Sequence, residues 1–496
     1  LDDQENKTKM KFNQFYKRMV SLSISASMCF SPFGYSNGID LPEIGTVASS
    51  TLTIDQEIIY GDAYMRIMRR SQPIIHDPIL HEYINDLGHR LVANADNVKT
   101  PFYFFLIRNR EINAFAFFGG HVAIHSGLFL HTQTESELAS VLAHEISHVT
   151  QRHLARSMET QAKNSPATIA ALAGSLLLAI AAPQIGVAAL TATTAGTLQS
   201  RINHTRANER EADRFGIITL AKAGFNPYAM PKFFGQLANE YRYASTPPAM
   251  LLTHPLPQSR ITDSRERASH YSHIKLPASI RFQLARTRII ARYTGMDEET
   301  ALDWMKRHDN TDNNTIHAAM EYGRAIIYLD NKKIKKSKKI IEKLLQNSPS
   351  NRFYLDVASD VYIALHDPKT SVKLLAKALH QSPDNGVLTI NYANALLSSK
   401  EDNKAIKILQ HYTHDNPEDT TGWSLLSKAD AQAGKQAEEL ASRAELHALK
   451  ADWDHAIQLY SQASQLSKLG SLEQARYDAR IDQLIAQRDQ FLALKQ

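Results

Sequence analysis

Cysteine is nearly absent from this chain. Cys29 is the only one in 496 residues, so no internal disulfide staples the fold and no oxidising compartment can trap it in a wrong pairing. A lipid-attachment cysteine needs small residues before it; Met28 precedes Cys29, which argues against lipidation. Long apolar runs are missing too. Met19–Phe30 and Thr168–Ala182 both fall short of the roughly 20 apolar residues that span a bilayer. Charge of one sign is scarce: the net charge is +5, no Lys/Arg block suggests nucleic acid, and no stacking-and-basic pattern accompanies the aromatics. No nucleic-acid partner is expected. What remains is 43% hydrophobic and 22% charged, the composition of a globular chain whose length calls for two or more domains.

Residues 1–36 read as a secretory signal. Lys7, Lys9, Lys11, Lys17 and Arg18 precede the apolar-to-small segment Met19–Phe30, and Gly34 and Ser36 stand at −3 and −1 of a cleavage after Ser36. A disordered tail or a membrane anchor are the alternatives. Leu1–Lys9 looks unlike a normal start, and Met10 offers another. Residues 37–54 form an extended lead-in.

The chain is organised around Val141–Arg152, which contains His144-Glu145-Ile146-Ser147-His148. Ala139, Leu142, Ala143, Ile146 and Val149 recur at helical spacing without Pro or Gly, so this is a buried helix. One turn apart on a helix, His144 and His148 face the same way and can share one zinc ion. Glu145, one residue round, can take the proton of a metal-activated water as that water attacks a peptide carbonyl. Such a site needs a third protein ligand. Glu209 and Asp213, four apart in Asn208-Glu209-Arg210-Glu211-Ala212-Asp213, share a helix face. Glu209 can bind the metal while Asp213 completes the catalytic set by orienting a ligating histidine. Glu211 should point elsewhere. His153, at i+5 from His148, should be solvated, and His121 and His125 should be structural.

Around this helix, Asp55–Arg70 and Pro78–Ala93 carry helical periodicity, with Asp77-Pro78 as cap and first turn. Phe102–Ile107, Ile112–Phe118 and His121–His125 read as strands, with Gly119-Gly120 turning the last two into a hairpin. Its edge, at Asn113, Ala114 and Phe115, could hold a substrate strand by main-chain bonds; an ordinary core hairpin is the alternative. Ser245–Pro257 reads as a loop in which Pro255 and Pro257 hold His254 outward; a plain loop histidine is the alternative. Residues 167–198 are uncharged and Ala/Leu/Thr-rich, either a buried helical hairpin or a surface in peripheral contact with a membrane.

Beyond about residue 270 only helices are expected. Asn347-Ser348-Pro349, Gln381-Ser382-Pro383 and Asp415-Asn416-Pro417 recur every 34 residues, the tetratricopeptide period. Small residues fall at its close-packing positions: Ala325, Ser359 and Ala393, then Ser337, Ser371 and Ala405. Each repeat of such an array contacts its neighbours, so the array is expected to fold alone and to bind proteins in a concave groove.

The order His-Glu-x-x-His, Glu-Arg-Glu-Ala-Asp, Thr-His-Pro resembles the zinc-dependent minigluzincin peptidases related to the CaaX prenyl protease, over roughly residues 55–265. Glu111–Gly120, His144–Arg156 and Thr253–Arg260 carry the likeness. The resemblance implies that His144, His148 and Glu209 bind one Zn2+ per chain, with Glu145 as general base. The integral-membrane members have several spanning helices that this chain lacks, so a prenyl-protein substrate does not carry over. With a signal in front and the repeats behind, the likeness implies a periplasmic endopeptidase in outer-membrane protein assembly and quality control. Its partners would be unfolded or stalled outer-membrane proteins and, through the repeats, the outer-membrane assembly machinery. A tetratricopeptide chaperone or scaffold with silent proteolysis is the competing reading. His254, in the family's Thr-His-Pro, is expected to regulate the site as a fourth ligand that comes and goes. The fold expected is mainly α: an α+β catalytic domain with a small sheet over 55–268, connecting helices over 269–309 and an all-α repeat solenoid over 310–496.

Overall fold

The computed structural model describes residues 52–164, 206–242 and 249–493. The expected signal, most of the lead-in and the 167–198 segment lie outside them. Among the described residues no helix is long and apolar enough to cross a membrane.

Helix α1 (Ile54–Ser71) starts where Thr53 and Gln56 cap each other's backbone amides reciprocally. Helix α2 (Pro78–Val92) starts at Asp77, whose carboxylate accepts from the Leu80 amide, with proline in the first turn. Three short strands follow, β1 (Tyr103–Ile107), β2 (Ala114–Phe117) and β3 (His121–His125). The sheet order is β1-β3-β2, with β1 parallel and β2 antiparallel to β3. The connection between β2 and β3 runs through Gly119 and Gly120, both at positive φ, which only glycine adopts freely. β2 is therefore an edge strand.

After the short α3 (Leu128–His131) comes the central helix α4 (Glu135–Thr150), capped by Thr134. Every residue from Ser136 to His148 is buried, so α4 is enclosed on all sides rather than laid on a surface. Helix α5 (His153–Asn164) follows. Helix α6 (Arg206–Lys222) packs along α4. Gly216 makes that approach possible: a Cβ there would lie 3.3 Å from the His144 amide nitrogen and 2.9 Å from the Met230 methyl. The chain continues through α7 (Ala229–Glu240), α8 (Ala249–Thr253), α9 (Gln258–Ser269), α10 (Ile280–Tyr293) and α11 (Glu298–Arg307). The loop expected over 245–257 thus contains a helical turn, α8, whose Met250 amide donates to the Ile112 carbonyl.

The repeats pair α12 (Asn314–Asp330) with α13 (Ile334–Asn347), α14 (Arg352–Ala364) with α15 (Pro368–Gln381), and α16 (Gly386–Ser398) with α17 (Asp402–Asp415). Next come α18 (Thr420–Gln432) with α19 (Gln436–Ala448), then α20 (Trp453–Leu466) with α21 (Leu472–Ala493). The small residues at the repeat positions are buried at the helix crossings. Ser337 Oγ donates to the Ala325 carbonyl at 2.7 Å, and Ser371 repeats this with Ser359 at 2.9 Å.

The array is not self-contained. One apolar core runs from Ile75 and Tyr83 through Leu142 and Phe282 to Tyr354, Val357 and Val387. A buried ion cluster crosses the same boundary: Arg288 on α10 donates to Asp77 at 2.7 Å and to Asp356 on α14 at 2.6 Å. Farther along, Arg69 pairs with Glu418 at 2.9 Å, and Arg66 donates to the Ala448 carbonyl at 2.7 Å. Between the sheet and the array lies a cavity of about 800 Å³, lined among others by Tyr103, Phe105, His121, Arg352, Tyr412 and Asp419. The repeats thus lean on the peptidase side, where the 34-residue period alone suggests a free-standing solenoid.

Candidate active site

Helix α4 brings His144 and His148 onto one face, and α6, drawn close by Gly216, sets Glu209 and Asp213 against them. The His144 and His148 Nε2 atoms are 3.0 Å apart. Glu209 Oε2 lies 3.4 Å from His144 Nε2, and Oε1 lies 3.5 Å from His148 Nε2. His254, at the end of α8, completes the group: its Nδ1 is 3.1 Å from Glu209 Oε1 and 3.4 Å from His144 Nε2. His144, Glu145, His148, Glu209 and His254 are each no more than 5% exposed.

The surrounding bonds decide which nitrogens face inward. Asp213 Oδ1 lies 2.9 Å from His144 Nδ1, which favours a proton on Nδ1 and leaves the Nε2 lone pair of His144 directed at the centre. Arg260 holds Asp213 with two bonds of 2.8 Å and reaches Glu209 at 2.7 Å. Burial opposes ionisation of Asp213, but Arg260 and His144 outweigh it and hold the carboxyl below its usual range. On the other side, His148 Nδ1 meets His153 Nδ1 at 2.8 Å, and His153 Nε2 donates to Glu211 at 3.1 Å. Burial outweighs Glu211 and pulls His153 down to about 4, so it is neutral and accepts from His148.

Two inward lone pairs 3.0 Å apart repel unless a cation sits between them. Burial penalises a charged His144, yet Asp213 and Glu209 overcome it and raise the imidazole to about 10; the local field calls for positive charge at that point. Glu209 is held well below its usual range because His254, His144 and His148 outweigh its burial. Three imidazoles and a carboxylate with donor atoms within 4.8 Å of one another suit a borderline divalent metal.

Glu145 stands beside this group. Its Oε1 is 3.5 Å from His254 Nε2, and the Ala116 amide on β2 donates to its carboxylate. Burial is the largest influence on Glu145 and raises its pKa, against the pull of His254 and His144. The outer edge of β2, which pairs with no strand among the described residues, therefore runs along this carboxylate, with Asn113, Ala114 and Phe115 at its start. A peptide added to that edge would present its carbonyls to Glu145 and the histidines.

Sequence reasoning misplaces His153 and misses Arg260. His153 is fully buried against His148 rather than solvated. The cause is Arg152, whose φ of 52° reverses the chain after α4 and turns His153 back toward the site. Arg152 is anchored by Glu57 at 3.2 Å and by the Leu52 carbonyl at 2.6 Å. Glu211 stays out of the donor group and serves His153 and Arg156. His121 and His125 lie on β3 outside the group, both lowered to about 4 chiefly by burial.

Residues 78–268 match Peptidase family M48, and residues 362–429 match a tetratricopeptide repeat family. The beta-barrel assembly-enhancing protease of Escherichia coli K12 is 47% identical over 486 residues, covering 97% of this chain and 99% of its own. A Vibrio cholerae relative, provisionally given the same name, is 61% identical over 98% of this chain and 100% of its own. A mitochondrial metalloendopeptidase of Arabidopsis thaliana, OMA1, is 30% identical over 25% of this chain and 24% of its own. With the metal-type donors assembled beside a buried glutamate, and relatives matched over nearly their whole length, this chain is a metalloprotease and belongs to peptidase family M48, among the beta-barrel assembly-enhancing proteases.

Proposed function

We propose that the chain is a periplasmic zinc endopeptidase that degrades outer-membrane β-barrel proteins whose assembly stalls, and aids those that proceed. The observation that carries this reading is the convergence of His144, His148 and Glu209 beside Glu145, along the outer edge of β2. Unfolded β-barrel strands are extended segments with unpaired main-chain groups, which an edge strand captures by adding them to its sheet. Zinc held by His144, His148 and Glu209 would supply the Lewis acidity for activating water and polarising the scissile carbonyl. Glu145 takes the water's proton and returns it to the leaving amine. Asp213 and His153 hold the two ligating imidazoles in the required tautomers, and Arg260 fixes Asp213 and Glu209. The repeats are the surface for the assembly machinery. Purified protein with zinc should cleave an outer-membrane β-barrel protein presented unfolded and spare the same protein folded in detergent; equal cleavage of both would count against the reading.

The ligand assignment has its own test. His148→Ala should lose zinc, measured by elemental analysis of the dialysed protein, because removing one of the two helix imidazoles from the donor set weakens binding steeply. Full occupancy in that variant would remove His148 from the site.

His254 regulates the site in this reading. It stands within 3.5 Å of Glu209, His144 and Glu145 together, where it can fill the coordination position that water needs. His254→Ala should hydrolyse casein faster and cut itself more; a helper of turnover alone predicts only slower hydrolysis. The closed, buried arrangement also favours the second reading, in which the resting protein acts as a chaperone with its peptidase silent.

A further inference from the structure

A second convergence of metal-type donors lies far along the array, outside the peptidase chemistry. His447 near the end of α19 and His455 in the first turn of α20 flank Asp452 in the connecting turn. His447 Nδ1 lies 2.8 Å from Asp452 Oδ2, and His455 Nδ1 lies 2.9 and 3.0 Å from the two Asp452 oxygens. The imidazole centroids are 5.5 Å apart, and one donor atom from each residue falls within 4.8 Å of the others. The three side chains are 35%, 30% and 66% exposed, so a cation can enter from solution without unfolding.

Asp452 occupies the N-cap of α20, where aspartate ordinarily accepts a bond from the first amides of its helix. Asp297, Asp367 and Asp419 do so at the starts of α11, α15 and α18. Asp452 makes no such bond; its carboxylate is turned to the two imidazoles. Burial opposes its charge, but His447 and His455 outweigh that and hold the carboxyl below its usual range.

We propose that His447, Asp452 and His455 form a second site for a borderline divalent cation such as zinc, which fastens the end of the array to the peptidase. Two imidazole nitrogens with one carboxylate oxygen are ligands for zinc-like ions, whereas calcium and magnesium take oxygen alone. Water fills the fourth position. The site lies at the joint. Ala448, next to His447, presents its carbonyl to Arg66 of α1, and Trp453, next to Asp452, lies 5.1 Å under the same guanidinium. A cation tying α19 to α20 fixes the turn that offers both groups to Arg66.

The test is zinc uptake by the full chain, by equilibrium dialysis against micromolar zinc and elemental analysis. His455→Ala and Asp452→Asn should each bind one zinc equivalent fewer than the wild type; His455 is mostly exposed, so its removal leaves the fold intact. In the His148→Ala background, zinc should raise the melting midpoint, and adding His455→Ala should abolish that rise. Unchanged uptake in both array variants overturns the proposal, as does a second equivalent that appears only at millimolar zinc. Failure of the catalytic assignment reads differently: His148→Ala would then lose no zinc while His455→Ala still loses one equivalent.

Discussion

Glu145→Gln should leave a folded, metal-loaded protein whose peptide hydrolysis falls by about a hundredfold or more. Gln is nearly isosteric with Glu, so the 3.5 Å approach to His254 and the packing inside α4 survive the change. What disappears is the ability to accept a proton. That ability is sharpened in the native site, where burial raises Glu145 above the ordinary carboxylate range and makes it a stronger base than a solvated glutamate. Neither neighbouring carboxylate of the site can replace it: Glu209 is held well below its usual range, and Asp213 is occupied by His144 and Arg260. Zinc content, melting midpoint and casein hydrolysis, measured on the same preparations, separate chemistry from folding. A Gln variant with full activity would defeat the assignment of the base.

The largest stability effect is expected at Arg288. Arg288→Met should destabilise the chain by about 3–5 kcal/mol at neutral pH, because it strands two buried carboxylates, Asp77 and Asp356, without their cation. The loss should appear in the peptidase side and the repeats together, since Asp77 also caps α2 and Tyr322 of the first repeat bonds to the same guanidinium. The pH dependence has a definite sign. Arg288 overcomes burial and holds Asp77 below its usual range in the native protein, so this stability is present at neutral pH and is lost only as acid titrates Asp77 through that depressed value. In the variant Asp77 keeps its burial and its bonds from Tyr293 and Leu80 but loses its main cation, so it titrates higher and its penalty shrinks on acidification. The gap between wild type and variant in urea unfolding should therefore narrow as pH falls from 7 toward 5. A constant gap, or a loss under about 1 kcal/mol, would mean the cluster contributes little.

Local chemistry was readable without coordinates, and long-range arrangement was not. The periodicity of Leu142, Ala143 and Ile146 marks α4 because a buried helix must repeat its apolar contacts, and Asp77-Pro78 marks the start of α2 because only certain residues satisfy free amides there. The 34-residue recurrence marks the repeats for the same reason: Ser337 and Ser371 make one crossing contact twice. His153 escaped because extrapolating a helix from His148 assumes ordinary φ at Arg152, which is held at 52° by Glu57 and Leu52, about 100 residues away in sequence. Arg260 escaped because its partners lie 47 residues upstream and an arginine in a polar helix ordinarily faces solvent. The lean of the repeats on the peptidase rests on Arg288, whose partners stand 211 residues before it and 68 after. No periodicity encodes such a meeting.

The clasp at α1 also sets a clock for synthesis. Arg69 finds Glu418 and Arg66 finds the Ala448 carbonyl 349 and 382 residues later in the chain. At ribosomal rates of about 5–20 residues per second, the first described helix waits roughly 20–80 seconds for its last partners to be made. During that interval helix α4 exists, but the core it shares with Tyr354 and Val387 is unfinished. Contacts this distant in sequence also make the final collapse slow. The apolar core that carries α4 is thus completed only after the first repeats have emerged, so the packing around that helix ripens after, rather than before, the helices that share it.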